Sequence, residues 1–264
     1  MSDSTPILQA EGIRFRYPTG REALAGVDFE ARRGELVCIL GPNGSGKTTL
    51  LRCLLALLRP SAGTIRLEGR ELRRYSAAAL ARVVAYVPQR VQPAASFTVR
   101  EILMTGRAPH MGRLGVPGDL DRRVVGAAMA MTGVEAFADR DFDALSGGER
   151  QTVMVTRALA QQPSVMLLDE PTSSLDVRHQ LEIYRLMAKL AGEWEMSVVC
   201  VSHDVNLAAR FADRLIVLKD GRVAAAGAPG DVVARDILQE VYGVVVRLVD
   251  AGLTVPMVIA DAPR

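Results

Sequence analysis

The nine residues Gly41 to Thr49, "GPNGSGKTT", limit what this chain can fold into more than any other stretch. They follow the apolar run "ELVCIL" and open the helical run "TTLLRCLLALL", so the pattern G-x-x-x-x-G-K-[ST] stands in the strand–loop–helix setting that gives it meaning. Glycines there let backbone N–H groups wrap a row of phosphates, Lys47 reaches the terminal ones, and the Thr48 hydroxyl can ligate Mg2+. Gly41, Pro42, Asn43, Gly44, Ser45, Gly46, Lys47, Thr48 and Thr49 are therefore the expected contacts to a nucleotide.

From Glu35 onward, the short apolar segments "ELVCIL", "VVAYVP", "VMLLDE", "VVCVSHD" and "LIVLKDG" alternate with helical stretches, which predicts a parallel sheet covered on both faces. Ahead of it, "ILQAEGIRFRYP" and "ALAGVDFEARRG" flank a Pro-Thr-Gly turn and read as an antiparallel pair. Between Gln89 and Leu145 the strands give way to "TVREILMTGRAPHMG" and "DLDRRVVGAAMAMTGVEAFAD", a helical insert punctuated at "GRLGVPGD" (Gly112 to Asp119). After Gly221 the tail mixes one helix with short strands and is too short for another full domain. The expected division is an α/β core with its N-terminal β part over 1–88 and 146–230, a helical subdomain over 89–145, and a short extension over 231–264.

Composition removes several classes of function. A net charge of +2, with both signs mixed along the chain, leaves no nucleic-acid footprint. The richest apolar stretch, "LLRCLLALL", is interrupted by Arg52 and falls far short of the roughly 20 residues a membrane span needs. "MSDSTPILQAEG" has neither the basic nor the apolar region of an export signal. Three cysteines, Cys38, Cys53 and Cys200, stand in apolar surroundings without metal-ligand spacing and read as small buried hydrophobes in a reducing compartment.

A phosphate-binding loop needs a second group on the metal, and "VMLLDE" supplies Asp169 at the end of a buried strand. Glu170 beside it is the better general base for an attacking water, because a metal-bound carboxylate is a poor proton acceptor. His203 ends the strand "VVCVSHD", at the sheet edge where such folds place their ligands, and could bridge a terminal phosphate and the carboxylate. A second anion site starts at Leu145 with "LSGGERQ": Ser146 and Glu149 have capping-box spacing, and the helix they open presents glycine backbone N–H groups. A single folded chain with one phosphate cradle has no evident use for another.

Taken in order, "GPNGSGKTT", "VPQ" with Gln89, "LSGGE", "VMLLDEPTSSLD" and "VSHD" resemble the ATP-binding cassette (ABC) family, and the whole chain is similar to one transporter nucleotide-binding subunit. The resemblance implies a P-loop NTPase cassette: an α/β fold with a parallel-sheet core, an N-terminal antiparallel β subdomain and an α-helical subdomain. It implies ATP and Mg2+ as cofactors, with Lys47 on phosphate and Thr48, Gln89 and Asp169 at the metal. Gln89 becomes the lever sensing metal and water, Glu170 the base and His203 the switch histidine. Tyr17 in "FRYPTG" matches the aromatic that stacks on adenine, the other reading being a half-buried strand tyrosine. "SSLD", ending at Asp176, matches the loop passing between two cassettes. Ser146, Gly147, Gly148 and Glu149 then bind ATP held by a second copy, which makes the working unit a head-to-tail dimer. Glu149 stands where glutamine is commoner, and Thr152 where many relatives carry arginine.

Three roles compete for such a cassette: an ATPase energising a separate membrane transporter, a DNA- or ribosome-associated ATPase, and a regulator without transport. The chain has no heptad run, carries each motif once and lacks basic patches, which favours transport. No membrane domain is fused, so the resemblance implies separate permease subunits, a binding protein acting indirectly, and a peripheral position on the cytoplasmic face of the membrane. "RELRRYSAAALARVVAYVPQ", "GRAPHMG" and "EVYGVVV" are similar to cassettes serving ferric siderophores, haem and cobalamin. Phe97, Met104 and Met111 either offer a groove for a permease helix or form the core of the insert.

Overall fold

The computed structural model describes residues 5–89, 97–112 and 115–261. Arg113 and Leu114, within the Gly- and Pro-punctuated stretch, lie outside the described residues, as do the four N-terminal and three C-terminal ones.

Two strands, β1 (Leu8–Arg16) and β2 (Glu22–Ala31), precede β3 (Leu36–Leu40) and α1 (Lys47–Leu54). Next come β4 (Ala62–Leu67), β5 (Arg70–Glu71), α2 (Ala77–Val83) and β6 (Val84–Val87). Three helices follow, α3 (Val99–Thr105), α4 (Asp119–Thr132) and α5 (Gly147–Ala160), and then β7 (Val165–Asp169), α6 (Val177–Trp194), β8 (Ser197–Val201) and α7 (Val205–Phe211). The chain closes with β9 (Arg214–Lys219), β10 (Arg222–Gly227), α8 (Pro229–Val232), α9 (Arg235–Tyr242), β11 (Val245–Val249) and β12 (Met257–Asp261).

The main sheet has the order β10-β9-β3-β8-β7-β6. Its neighbours are parallel except for β10, which returns antiparallel along β9 at one edge. Every residue of β3, β7 and β8 is buried, because both faces are covered and neither can be polar. Alternate residues serve two cores: Leu36, Cys38 and Leu40 point into one, Val37 and Ile39 into the other, and β7 and β8 divide in the same way. The second core is closed by α1 and by a separate antiparallel sheet of order β2-β1-β4-β5. The sequence shows β1 and β2 of that sheet, whereas β4, which pairs along the other side of β1, carries no comparable signal. All three cysteines are free and buried, as expected, with Cys38 and Cys200 in register on adjacent strands.

On the other face, α5 packs against α3 and α4 while its last residues meet β6. The stretch "GRAPHMG" makes this junction. A Cβ on Gly106 would fall 2.3 Å from the Arg157 carbonyl oxygen, so only glycine lets the end of α3 approach α5 this closely. Arg107, 2% exposed, donates to Asp121 at 2.9 Å, to the Ala160 carbonyl at 2.8 Å and to Gln162 Oε1 at 3.0 Å. One guanidinium thereby joins the start of α4 to the Ala160 carbonyl at the end of α5 and to the Gln162 side chain beyond it. His110 meets the Gln161 carbonyl at 2.8 Å, and Arg82 of α2 donates to Pro109 O at 2.8 Å. Met104 is half-buried and packs against the core of this layer, Met111 is half-buried, and Phe97 is 40% exposed.

Arg107→Ala removes a buried charge and strands Asp121 together with two acceptors. It is expected to cost about 3 kcal/mol of stability, read as a lower urea midpoint, whereas Arg100→Ala, whose partner Asp139 is exposed, should change the midpoint little.

Candidate functional site

The parallel strands end at one edge of the sheet, and the site is built from the residues just beyond each end. After β3 the loop 41–46 turns into α1, and its tightest points are glycines. Gly41 has φ +140°, and a Cβ there would lie 2.1 Å from Leu218 O. Gly46, φ +108°, would place one 2.5 Å from Ala23 O. Neither position accepts a side chain, so bare backbone lines the turn at the start of α1. Lys47, the first residue of α1, is 5% exposed and folds its Nζ onto Gly41 O (2.8 Å) and Pro42 O (3.0 Å). Burial holds its pKa below the usual lysine range, against the raising influence of Glu170 and Asp169. Ser45 Oγ, buried in the same turn, has no hydrogen-bond partner among the described residues, an arrangement that suits an incoming phosphate oxygen.

After β7, Asp169 presents Oδ1 to the Thr48 hydroxyl at 3.2 Å. Burial raises its pKa, the Thr48 bond opposes this, and the charge of Glu170 adds to it. Tyr86 of β6 reaches the second oxygen at 3.5 Å, the limit of a hydrogen bond. Thr48 and Asp169 thus form a pair of hard oxygen donors at the mouth of the loop, the donor set that fits Mg2+.

Glu170 comes next, with φ +50°, a left-handed conformation seldom adopted by a non-glycine residue, and its N–H is held by Val201 O at 3.1 Å. This turn swings the carboxylate off the strand and between two partners. Gln89, at the end of β6, donates to Oε2 at 2.6 Å, and His203, after β8, bonds Oε1 through Nε2. A carboxylate only accepts, so in this contact His203 carries its proton on Nε2. Each carboxylate oxygen keeps acceptor capacity for a water. A cavity of about 490 Å3 opens in front, lined by Glu170, Ser173, His203 and Asn206 among others.

Tyr17, just beyond β1, is half-buried, edge-on to Phe15, with its hydroxyl 3.1 Å from the Thr49 hydroxyl. It therefore stands beside the phosphate loop at the first turn of α1.

The other expected residues form a second cluster. Ser146 caps α5, accepting from the Glu149 N–H at 3.3 Å, and the Glu149 carboxylate accepts from the Ser146 N–H at 2.7 Å. That N–H is the first cause holding the Glu149 pKa below the usual carboxylate range. Ser146 and Gly147 are exposed, while Gly148 is buried against the His179 ring. Asp176 caps α6 through the His179 N–H at 2.9 Å and also bonds His179 Nδ1 at 2.9 Å. Thr152 returns its hydroxyl to Gly148 O at 3.1 Å, which accounts for a polar side chain there. No hydrogen bond or ion pair joins Ser146, Glu149 or Asp176 to the phosphate loop, Gln89, Glu170 or His203 among the described residues. His179 and Tyr86 escaped sequence reasoning. Their only signals are the spacing of His179 from its cap and the position of Tyr86 on the strand that leads to Gln89.

The profile of the ABC transporter family matches residues 24–173. Over 223 residues the chain is 47% identical to the cobalamin import ATP-binding protein of Halobacterium salinarum; the match covers 84% of this chain and 56% of that protein, so the chain spans little more than half of it. It is 46% identical to the hemin import ATP-binding protein of Streptomyces coelicolor, over 89% of this chain and 83% of the relative. In structure it resembles a chain of a metal-chelate type ABC transporter in an inward-facing conformation, with TM-score 0.85 and 26% identity over 97% of this chain and 98% of the other. It also matches a bacterial ABC transporter cassette solved as a dimer, with TM-score 0.73 and 30% identity over 84% and 98%. With a phosphate loop, paired acidic residues and a capped glycine helix start in this arrangement, the chain belongs to the ATP-binding proteins of the ABC transporter family.

Proposed function

We propose that this chain hydrolyses ATP as the energising subunit of an importer that takes up a metal chelate, a ferric siderophore, haem or cobalamin, through separate permease subunits. The observation that carries the hydrolytic part is Glu170, turned out of its strand beside the Thr48–Asp169 pair and held from two sides by Gln89 and His203. The import part is supported by relatives named for cobalamin, hemin, petrobactin and ferric enterobactin. No helix among the described residues is long and apolar enough to cross a membrane, which suits a peripheral subunit working at the cytoplasmic face. Residues 89–145 serve as the helical subdomain of the cassette, and the flanking segments as its core.

In this reading the loop 41–49 binds the phosphates through its N–H groups, with Lys47 leaving the Gly41 and Pro42 carbonyls for the terminal phosphate oxygens. Tyr17 contacts the adenine. Thr48, Asp169 and Gln89 would hold Mg2+, which when bound supplies charge neutralisation at the phosphate oxygens. Glu170 takes the proton from the attacking water as its oxygen bonds the γ-phosphorus and the bond to ADP breaks. His203 keeps its Nε2 proton toward Glu170 and steadies the carboxylate. Ser146, Gly147 and Gly148 donate to the ATP of a second copy, and the Asp176 loop lies between the copies, so ATP joins the dimer and hydrolysis releases it.

Asp169 illustrates the conflict between stability and function. Its folded pKa is raised, so the ionised form is less favourable in the fold than in the unfolded chain, and at neutral pH the folded protein loses stability through it. In the nucleotide-free protein, Asp169→Asn is expected to unfold at a higher temperature than wild type at pH 7. The difference should fade in acid, where the carboxyl is protonated in both states. The same variant should lose the extra stabilisation that Mg2+ adds to ATP in a thermal-shift assay. Glu170→Gln should bind ATP, turn over about 100-fold or more slowly and accumulate as a dimer on size exclusion; normal turnover would remove Glu170 from the role of base. Ser146→Arg should leave ATP binding by the monomer intact while abolishing ATP-driven dimerisation, and loss of monomer binding would count against a site acting in trans.

A further inference from the structure

We propose that the C-terminal hairpin β11–β12 positions His203 through Asn206, a step that rests on the reading of His203 as partner of the catalytic carboxylate. His203 sits in the short link between β8 and α7 and is anchored on both sides. On the β8 side, buried Ser202 accepts from the Tyr184 hydroxyl at 2.7 Å, and its N–H donates to Ile39 O at 3.0 Å. On the α7 side, Asp204 caps the helix by accepting from Leu207 N–H at 2.8 Å. Asp204 N–H also donates to Ser202 Oγ at 3.0 Å. A helix of seven residues does not hold its direction by its own hydrogen bonds, so the contacts that grip its first turn decide where the histidine link lies.

The grip is Asn206. Its Oδ1 accepts from Val258 N–H at 2.8 Å and its Nδ2 donates to Val258 O at 3.1 Å. A side-chain amide has the donor and acceptor geometry of a peptide group, so Asn206 stands against β12 as one residue of a third strand would. Val258 is opposite Leu248 in the hairpin, and because both of its main-chain groups face Asn206 they are turned away from β11. The hairpin is itself fastened: Val246 is 2% exposed, and Leu248, Val255 and Val258 pack against the core. Val258 and Ala260 also wall the cavity that Glu170 and His203 open into. The last described strand therefore reaches the catalytic edge, and Asn206 converts its position into that of the histidine link. Asn206 is a positioning residue in this scheme, not a catalytic one.

Two substitutions break the clamp from opposite sides. Asn206→Ala removes the amide, and Val258→Pro removes the N–H from β12 at a position whose N–H does not serve the hairpin ladder. In the full-length chain each is expected to lower kcat for ATP about 10- to 100-fold with KM within about twofold, the pattern of a misplaced group in a site that still binds. The double variant should be no slower than the slower single one, since both remove the same contact. A second readout does not depend on turnover. The chain has three histidines, His110, His179 and His203, so ring resonances can be assigned. In nucleotide-free protein Asn206→Ala should move the His203 signals and leave the other two in place. Unmoved His203 signals, kcat within twofold of wild type in both single variants, or losses that multiply in the double variant would each overturn the proposal. A wild-type chain that fails to hydrolyse ATP would sink the ATPase reading instead, and the His203 resonances would still decide whether the hairpin holds the link.

Discussion

The structure depends on the parallel pairing of four adjacent strands, β3, β8, β7 and β6. Parallel pairing makes all four end at one edge, and each ending carries a different group: the phosphate loop after Leu40, His203 after Val201, Asp169 and Glu170 at the end of β7, and Gln89 after Val87. No local sequence could bring these together, since they come from four separate crossovers. The strands can be short and wholly apolar because helices and the antiparallel sheet exclude water from both faces. Polarity is thereby confined to the edge, where charge is desolvated from one side only.

That confinement explains the electrostatics of the site. Lys47 and Asp169 are both pushed toward their neutral forms by burial, and the proposed reading needs both as charges beside phosphate and metal. Each is kept in place by uncharged partners. Lys47 rests on two carbonyls, and Asp169 on a hydroxyl at 3.2 Å, contacts that an incoming ligand can replace without leaving a stronger bond unmade. Glu170 differs in kind. Its fixation is conformational, through a left-handed backbone, and the strain is held by the N–H bond to Val201, inside the sheet.

Much of this was legible in the chain because the decisive signals are local. The P-loop spacing, the capping box at Ser146 and Glu149, and the apolar strands each occupy a few consecutive residues, and the structure shows the predicted elements at each. The fold class, the antiparallel β part and the burial of the cysteines came from the same kind of signal. The features that escaped are non-local. β4 carries no sign that it will lie along β1. "GRAPHMG" carries a resemblance to metal-chelate cassettes, but nothing in it announces that Arg107 will be buried against the last turn of α5. Asn206 and Val258 are separated by 52 residues, and an asparagine near a helix start looks like a capping residue until its partner strand is in place. Phe97, Met104 and Met111 share an apolar character in the sequence, but their burial differs, from a Met104 packed on the core to a Phe97 that is 40% exposed.

The second cluster shows how a helix start can stay available to an anion while carrying a carboxylate of its own. Glu149 lies at the positive end of α5, where its charge would compete with a phosphate for the same N–H groups. Two contacts prevent the competition. One carboxylate oxygen is spent on the Ser146 N–H, outside the run of helical donors, and the other is 3.3 Å from Arg140, whose charge offsets it. The Gly147 and Gly148 N–H groups are left uncommitted by the capping box, and Gly148 is fixed from behind by the His179 ring, which Asp176 orients. A glutamine would make the same N–H contact without the charge; with glutamate, Arg140 becomes part of the device. Arg140, Glu149, Asp176 and His179 thus set the start of α5 within one chain, while the phosphate that would meet it belongs, on the proposed reading, to the other.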